Sequence, residues 1–428
     1  MNTKNSAIDF GQNTPIISKP ASMLALGALI NISFSLWLYQ EFGAQHAMVW
    51  WVATLLGFTF ARAGYGFTRA WRSLVTGCST VGVRSHLLWV AIGSCLMFPV
   101  YQLGWLGTPV FDITRPVGLM LLSGAFIFGI GMQLSGSCTS GSMYQAGSGK
   151  SRMFLAILGI VVGAFFAALH YGYWSELPTY FIYSYQRSFN WPIAIVIQLV
   201  ILALLWRILS TLEMRWNGNL SSIFDSTSEH VSRATQNDKS ACTPWNWRHF
   251  IFGHWSLGIG SISLAVLSFL SLVLLARPWV ISLAFPFWGA KFAPVFGADY
   301  DFEFWDYWGI AVNESMLQLG LLEDLTSLMN IAFILGASWA QISLIKSTLK
   351  KSTASVKAIS RQFYLSTLTL FGGFLMGYGA VIGLGCNIGG FIAAVLSGSV
   401  HGWAWVFTAL LGTLAGVQLR KFLRIEPR

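Results

Sequence analysis

Charge is scarce in this chain. Lys, Arg, Asp and Glu make up 10% of the 428 residues, against about a quarter in a soluble domain, and mean hydropathy is +0.60. A water-soluble globule is excluded on that ground. Cysteine is sparse too: Cys78, Cys95, Cys138, Cys242 and Cys386 include no C-x-x-C pair and no even set, which argues against a disulfide framework and a zinc ribbon. No two of the seven histidines share a helix at ligand spacing, so neither a metal nor a cofactor is expected. The two-residue alternation of barrel strands is missing. Met1–Ala21 is too polar for a secretory leader, and the apolar run after it is expected to stay as an anchor.

What the chain has instead is long apolar runs. A bilayer core takes about 20 mostly apolar residues per helical crossing. Ten stretches qualify: Ser22–Gln40, Ala47–Ala63, His86–Leu106, Pro116–Leu134, Met153–Tyr171, Pro192–Leu209, His254–Ala276, a span near Asp324–Ile342, Phe363–Ile382 and Gly402–Leu419. The fold class is all-α, a polytopic integral membrane protein. Pro278–Gly297 is apolar but broken by Pro278, Pro286 and Pro294, and Gly309–Leu322 is too short to cross. Both are expected to be re-entrant or interfacial segments.

The net charge of +10 is placed beside the spans. Basic clusters lie at Arg62–Arg84, Arg207–Arg248, Lys346–Arg361 and Arg420–Arg428, whereas Tyr171–Trp191 is aromatic and Asp299–Asp306 acidic. That is the cytoplasmic Lys/Arg excess of membrane proteins rather than a nucleic-acid surface. It puts both termini and the polar stretch Glu213–Phe250 in the cytoplasm, with a bacterial inner membrane as the expected location. The chain then divides into a first half with its anchor (1–211), a cytoplasmic linker (212–250) and a second half (251–428).

The halves repeat. Counted from Cys138, glycines stand at minus fourteen, nine and seven (Gly124, Gly129, Gly131) and at plus three (Gly141). Counted from Cys386, the same places hold Gly372, Gly377, Gly379 and Gly389, and small residues occupy minus three and minus one in both copies. With the N-terminus cytoplasmic, the two motifs approach from opposite faces. Two pseudo-symmetric inverted repeats are therefore expected, with a site at their interface.

Glycine costs about 1 kcal/mol against alanine inside a helix, so such strings need a reason. One is close helix packing. The other is a helix broken near mid-membrane, with its backbone turned to a substrate path. On the second reading the path holds Gly129, Gly131, Gly136, Cys138, Gly141 and Tyr144 from one half, and Gly377, Gly379, Gly385, Cys386, Asn387 and Gly389 from the other. Thr139, Ser140 and Asn387 are suitable N-caps for short helices starting after each cysteine. Helix N-termini there favour an anion, and a thiol beside them favours a soft, sulfur-bearing one.

Gly-x-Gly-x6-Cys-x2-Gly in both halves resembles the YeeE/YedE sulfur-transport family, whose best-understood members take up thiosulfate. The stretch from Gly57 to Arg72 is similar to a second signature of that family, which commonly has cysteine where Gly66 stands, and Arg277-Pro-Trp through Phe287-Trp-Gly289-Ala-Lys291 also has the family's look. The resemblance covers most of residues 50–420 outside the linker. It implies a non-enzymatic permease in which Cys138 and Cys386 pass thiosulfate, or a similar sulfur anion, along by contact with its terminal sulfur. It further implies a small cytosolic sulfur-carrier protein as a partner. Gly66 leaves a third thiol open. Arg277 at the extracytoplasmic end is a candidate to meet the anion, with Lys291 beside it. Arg62 is either an inward draw or a membrane-end anchor. A rival reading is a membrane thiol oxidoreductase that cycles Cys138 and Cys386 through a disulfide or persulfide.

Overall fold

The computed structural model describes residues 20–225, 251–297, 300–344 and 356–425. It is helical almost throughout, with ten helices long and apolar enough to cross a bilayer among the described residues. In chain order these are α1 (Pro20–Phe42), α2 (Ala44–Ala63) continued by a short α3 (Phe67–Val75), and α4 (Val81–Leu103). Next come α5 (Leu119–Ser135) continued by a short α6 (Thr139–Gly147), α7 (Arg152–Leu169) and α8 (Trp191–Asn217). The second half has α9 (Leu257–Leu275), a turn at Ile281–Leu283 leading into a short α10 (Ala284–Phe292), α11 (Leu325–Ile342) and α12 (Val356–Ile382). It ends with a short α13 (Asn387–Leu396) and α14 (Val400–Phe422). A two-stranded ribbon pairs Val117–Gly118 with Thr179–Phe181.

The pattern long helix, break, short helix, long helix occurs four times: α2–α3–α4, α5–α6–α7, α9–α10–α11 and α12–α13–α14. Pro278–Gly297, expected to be interrupted, supplies the third short helix. Gly309–Leu322 holds only the short helix Ala311–Gln318. Residues 226–250 of the expected linker, with Cys242, lie outside the described residues, as do 1–19 and 426–428. Helix α8 runs beyond Leu209 to Asn217 and carries Glu213 inside the protein instead of into a linker. There Arg84 Nη2 of α4 donates to Glu213 at 2.8 Å and to the Ser221 carbonyl at 2.6 Å. An uncompensated buried carboxylate would be costly, and this pair fixes α8 to α4.

The core is built on glycine. Helices α5 and α12 run antiparallel so closely that a Cβ on Gly124 would lie 2.1 Å from Gly383 N, and one on Gly372 would lie 2.4 Å from Ser135 N. The same holds nearer their crossing, where Gly131 abuts Met376 N and Gly379 abuts Phe128 N, both at 2.7 Å. Gly129 meets Ala409 O of α14, and Gly377 meets Ile160 O of α7. The contacts are reciprocal between the halves. Helices α1 and α8 sit on the rim: only 11% and 17% of their apolar windows are buried, which leaves their side chains to lipid.

Two faces can be told apart. One carries Gly43–Gln45, the 104–118 loop, residues 170–191, 276–297 and 300–324, joined by bonds such as Gln45 Nε2 to Leu274 O (2.6 Å) and Val400 N to Tyr183 O (3.1 Å). The other carries Gly77–Thr80, residues 218–225 and 251–257, joined for example by Asn217 Nδ2 to Cys78 O (2.9 Å). They are called the vestibule face and the linker face below.

Candidate functional site

The breaks in α5 and α12 put the cysteines of the two repeated motifs at matching places. Gly136 (φ +79°) takes the left-handed conformation that ends α5, and a Cβ there would meet nothing within 4 Å. In the second copy the left-handed residue is Leu384 (φ +56°), followed by Gly385 (φ +152°). A bulky residue at positive φ costs on the order of 1–3 kcal/mol and is found where surrounding structure or function demands it.

Cys138 and Cys386 themselves, in extended backbone, are the N-caps of α6 and α13. This corrects the expectation that Thr139, Ser140 or Asn387 would cap. The extended residue is the cysteine, so Thr139 and Asn387 are already the first helical residues, and neither side chain bonds the free N–H groups it was expected to cap. The Gly141 N–H donates to Cys138 Sγ at 3.3 Å, and Ser140 Oγ lies 3.5 Å from the same sulfur. Cys386 Sγ faces the Ile388 and Gly389 N–H groups more loosely than a capping hydrogen bond, with the Ser282 hydroxyl beside it. Glycine at plus three is explained by this geometry. A Cβ on Gly141 would lie 3.0 Å from Cys138 Sγ, and one on Gly389 would lie 2.6 Å from Val280 Cγ1.

The two thiols are electrostatic neighbours, both 1% exposed or less and both reduced. The Ile281–Leu283 turn packs against α6 on one side and α13 on the other. Phe67, at the start of α3, packs its ring against Phe391 of α13, and a Cβ on Gly66 would look towards Tyr144 Oη of α6 at 3.9 Å. All four short helices thus begin around one centre, three of them with Gly66, Cys138 and Cys386 at the N-cap.

A cavity of about 240 Å³ opens from the vestibule face to this centre. Its floor is Val280, Ser282, Leu384 and Gly385, immediately before Cys386, and its walls include Arg115, Arg277, Tyr171, Tyr307 and Asn313. Asp112 also lines it but is neutralised by Arg187, whose Nε and Nη2 donate to the carboxylate at 2.6–3.0 Å. Arg277 donates to Thr326 Oγ1 at 3.3 Å. Burial lowers its guanidinium from the ordinary value; Asp324 opposes that and Arg115 adds to it. Burial also raises the Tyr307 and Tyr171 phenols, so both stay protonated donors. On the linker side the pocket around Gly66, Arg69, Ser85 and His86 holds only about 10 Å³, room for about one water. Of these two cavities, the larger opens to the vestibule face and the smaller lies towards the linker face.

Not every expected residue reaches this centre. Gly129, Gly131, Gly377 and Gly379 have their open sides filled by neighbouring backbone and act in packing. Arg62, fully buried, donates to the Gly253 carbonyl (2.9 Å) and to Ser343 Oγ (2.8 Å), holding α2 to the linker face. Lys291 donates to the Leu317 carbonyl at 2.8 Å and lines a different pocket with Asp301 and Tyr300. Arg115 was missed by sequence reading: one arginine in the 104–118 loop carries no motif, and only folding brings it to Arg277.

A family model described as sulphur transport matches residues 62–415. The chain belongs to that family, YeeE/YedE sulphur transport. The match spans both cysteine motifs and all four short helices, and the family supports a role in sulfur transport for the chain. No curated protein matches the chain.

Proposed function

We propose that the protein is a permease for thiosulfate or a closely similar sulfur oxyanion, taken up from the vestibule face and passed between Cys386 and Cys138. The supporting observation is a pair of buried thiols, each at the N-cap position of a short helix, behind a cavity lined by Arg115 and Arg277, with Asp112 there paired to Arg187. Guanidinium groups at the mouth concentrate anions. Thiols and free N–H groups within give a soft terminal sulfur somewhere to rest without a fixed charge to trap the rest of the ion.

The linker face is the cytoplasmic one on this reading, because Arg62, Arg69, Arg72, Arg84, Lys150 and Arg152 lie at that end of their helices. Both termini would then be cytoplasmic, in a bacterial inner membrane, and a small sulfur-carrier protein would receive the product there. Residues 1–211 and 251–428 act as two halves joined through 212–250. The rival reading is a thiol oxidoreductase that cycles Cys138 and Cys386 through a disulfide or persulfide, and one experiment separates the two. Proteoliposomes holding the full chain should accumulate radiolabelled thiosulfate with no electron donor present. Accumulation that requires a donor, or none at all, overturns the permease reading.

A further inference from the structure

Two side chains at the centre have nothing to bind. Thr139 and Asn387 each follow a cysteine by one residue, at the same place in the two halves, and each is 1% exposed. Thr139 Oγ1 has no hydrogen-bond partner, and neither does the amide oxygen or the amide nitrogen of Asn387. Native proteins leave few buried polar groups unmade, because each costs roughly 1–3 kcal/mol. Here the same lapse falls at equivalent positions, each beside a cysteine that stands at the N-cap position of its short helix. Asn387 also opens a π-helical segment, Asn387–Ala393; such wide turns are rare and concentrate at functional sites.

We infer that Thr139 and Asn387 bind the oxygen end of the transported anion while Cys138 and Cys386 contact its sulfur end. This rests on the permease reading and sharpens it. The Thr139 hydroxyl donates one hydrogen bond and the Asn387 amide two, so the matching ligand group is an oxygen acceptor such as a sulfonate-like SO₃ end. The path therefore selects molecules that carry both an exposed sulfur and several oxygens. Sulfate satisfies the hydroxyl and amide but offers the thiols nothing, and hydrosulfide does the reverse.

The test is radiolabelled thiosulfate uptake into proteoliposomes, with melting temperature measured on each purified variant. Asn387→Leu and Thr139→Val should raise KM about tenfold to hundredfold, the loss of one or two hydrogen bonds to a charged ligand. Thr139→Ser keeps the hydroxyl and should stay within about twofold. Asn387→Asp places a carboxylate against the dianion and should abolish uptake. A structural role would lower the melting temperature, whereas Asn387→Leu, which replaces an unsatisfied amide by an apolar group, should melt no lower than the unmodified protein. Unchanged KM in Asn387→Leu and Thr139→Val overturns the inference while leaving the permease standing. So does lost uptake that tracks lost stability. If the unmodified protein takes up no thiosulfate, the permease reading falls and this inference with it.

Discussion

Glycine does two different jobs in this protein, and Gly66 against Gly377 separates them. At Gly377 a Cβ would sit 2.0 Å from Ile160 O and 2.7 Å from Ile160 C, more than an ångström inside ordinary contact with a backbone that cannot turn aside. Gly377→Ala must push α7 from α12, at a cost of about 1–3 kcal/mol or more. Gly66 is different. Its φ of −163° is extended backbone open to any residue, and the nearest atom to an added Cβ is Tyr144 Oη at 3.9 Å. Gly66→Ala should therefore be neutral, or stabilise by about 0.4–1 kcal/mol through the stiffer unfolded chain. The gap between the two variants should exceed roughly 1 kcal/mol. Thermal unfolding in detergent, followed by tryptophan fluorescence, reads it directly. Gly66→Cys, which adds the thiol the family commonly has there, should keep thiosulfate uptake at or above the unmodified level. If Gly66→Ala melts as low as Gly377→Ala, the space at Gly66 is illusory and the assignment of glycines to packing or path fails.

Cys138→Ser and Cys386→Ser should each fold, since serine keeps size and hydrogen bonding, yet each should cut uptake at least about tenfold; full uptake by the double variant would end the thiol-contact mechanism. Arg277→Gln and Arg115→Gln should raise KM and flatten its increase with salt, because screening acts on the long-range attraction that these groups supply; an unchanged salt dependence would remove them from capture. Cys78 is exposed on the linker face, so in a variant carrying Cys95→Ser and Cys242→Ser a membrane-impermeant maleimide should label intact cells only after permeabilisation. Labelling without permeabilisation would reverse the orientation.

The spans were legible because apolar length is a one-dimensional property. Most limits differ by a turn or less; α4 and α12 begin five and seven residues earlier than expected, and α8 runs on past Leu209, where Glu213 finds Arg84 and Thr80 across the fold. The glycine–cysteine motifs were legible because their spacing repeats. Which glycines pack and which flank the thiols was not, since both uses want the same residue. Gly129 and Gly377 lie against backbone, whereas Gly136 and Gly385 set the breaks before the cysteines. The capping assignment missed by one residue because a thiol is a weak acceptor and was passed over in favour of Thr139 and Asn387. Arg115 was invisible for a third reason: its meaning lies wholly in its distance from Arg277, which a loop joining α4 to α5 does not encode locally.

On the proposed permease reading, the placement of charge accounts for a centre built from thiols. A dianion moving into a negative-inside cell is opposed by about 2.3 kcal/mol per charge for each 100 mV, so a fixed cation in mid-path would help it in and then hold it. The protein keeps Arg115 and Arg277 at the mouth and spends Arg62 and Arg84 on structural bonds near the linker face. Between them the groups assigned to the proposed path are neutral: two thiols, helix N–H groups, the Thr139 hydroxyl and the Asn387 amide. Each offers a contact weak enough to leave, and there is one set per half, so release from Cys386 can be matched by capture at Cys138. On the proposed reading, selectivity comes from asking the ion for two unlike ends rather than from binding its charge tightly.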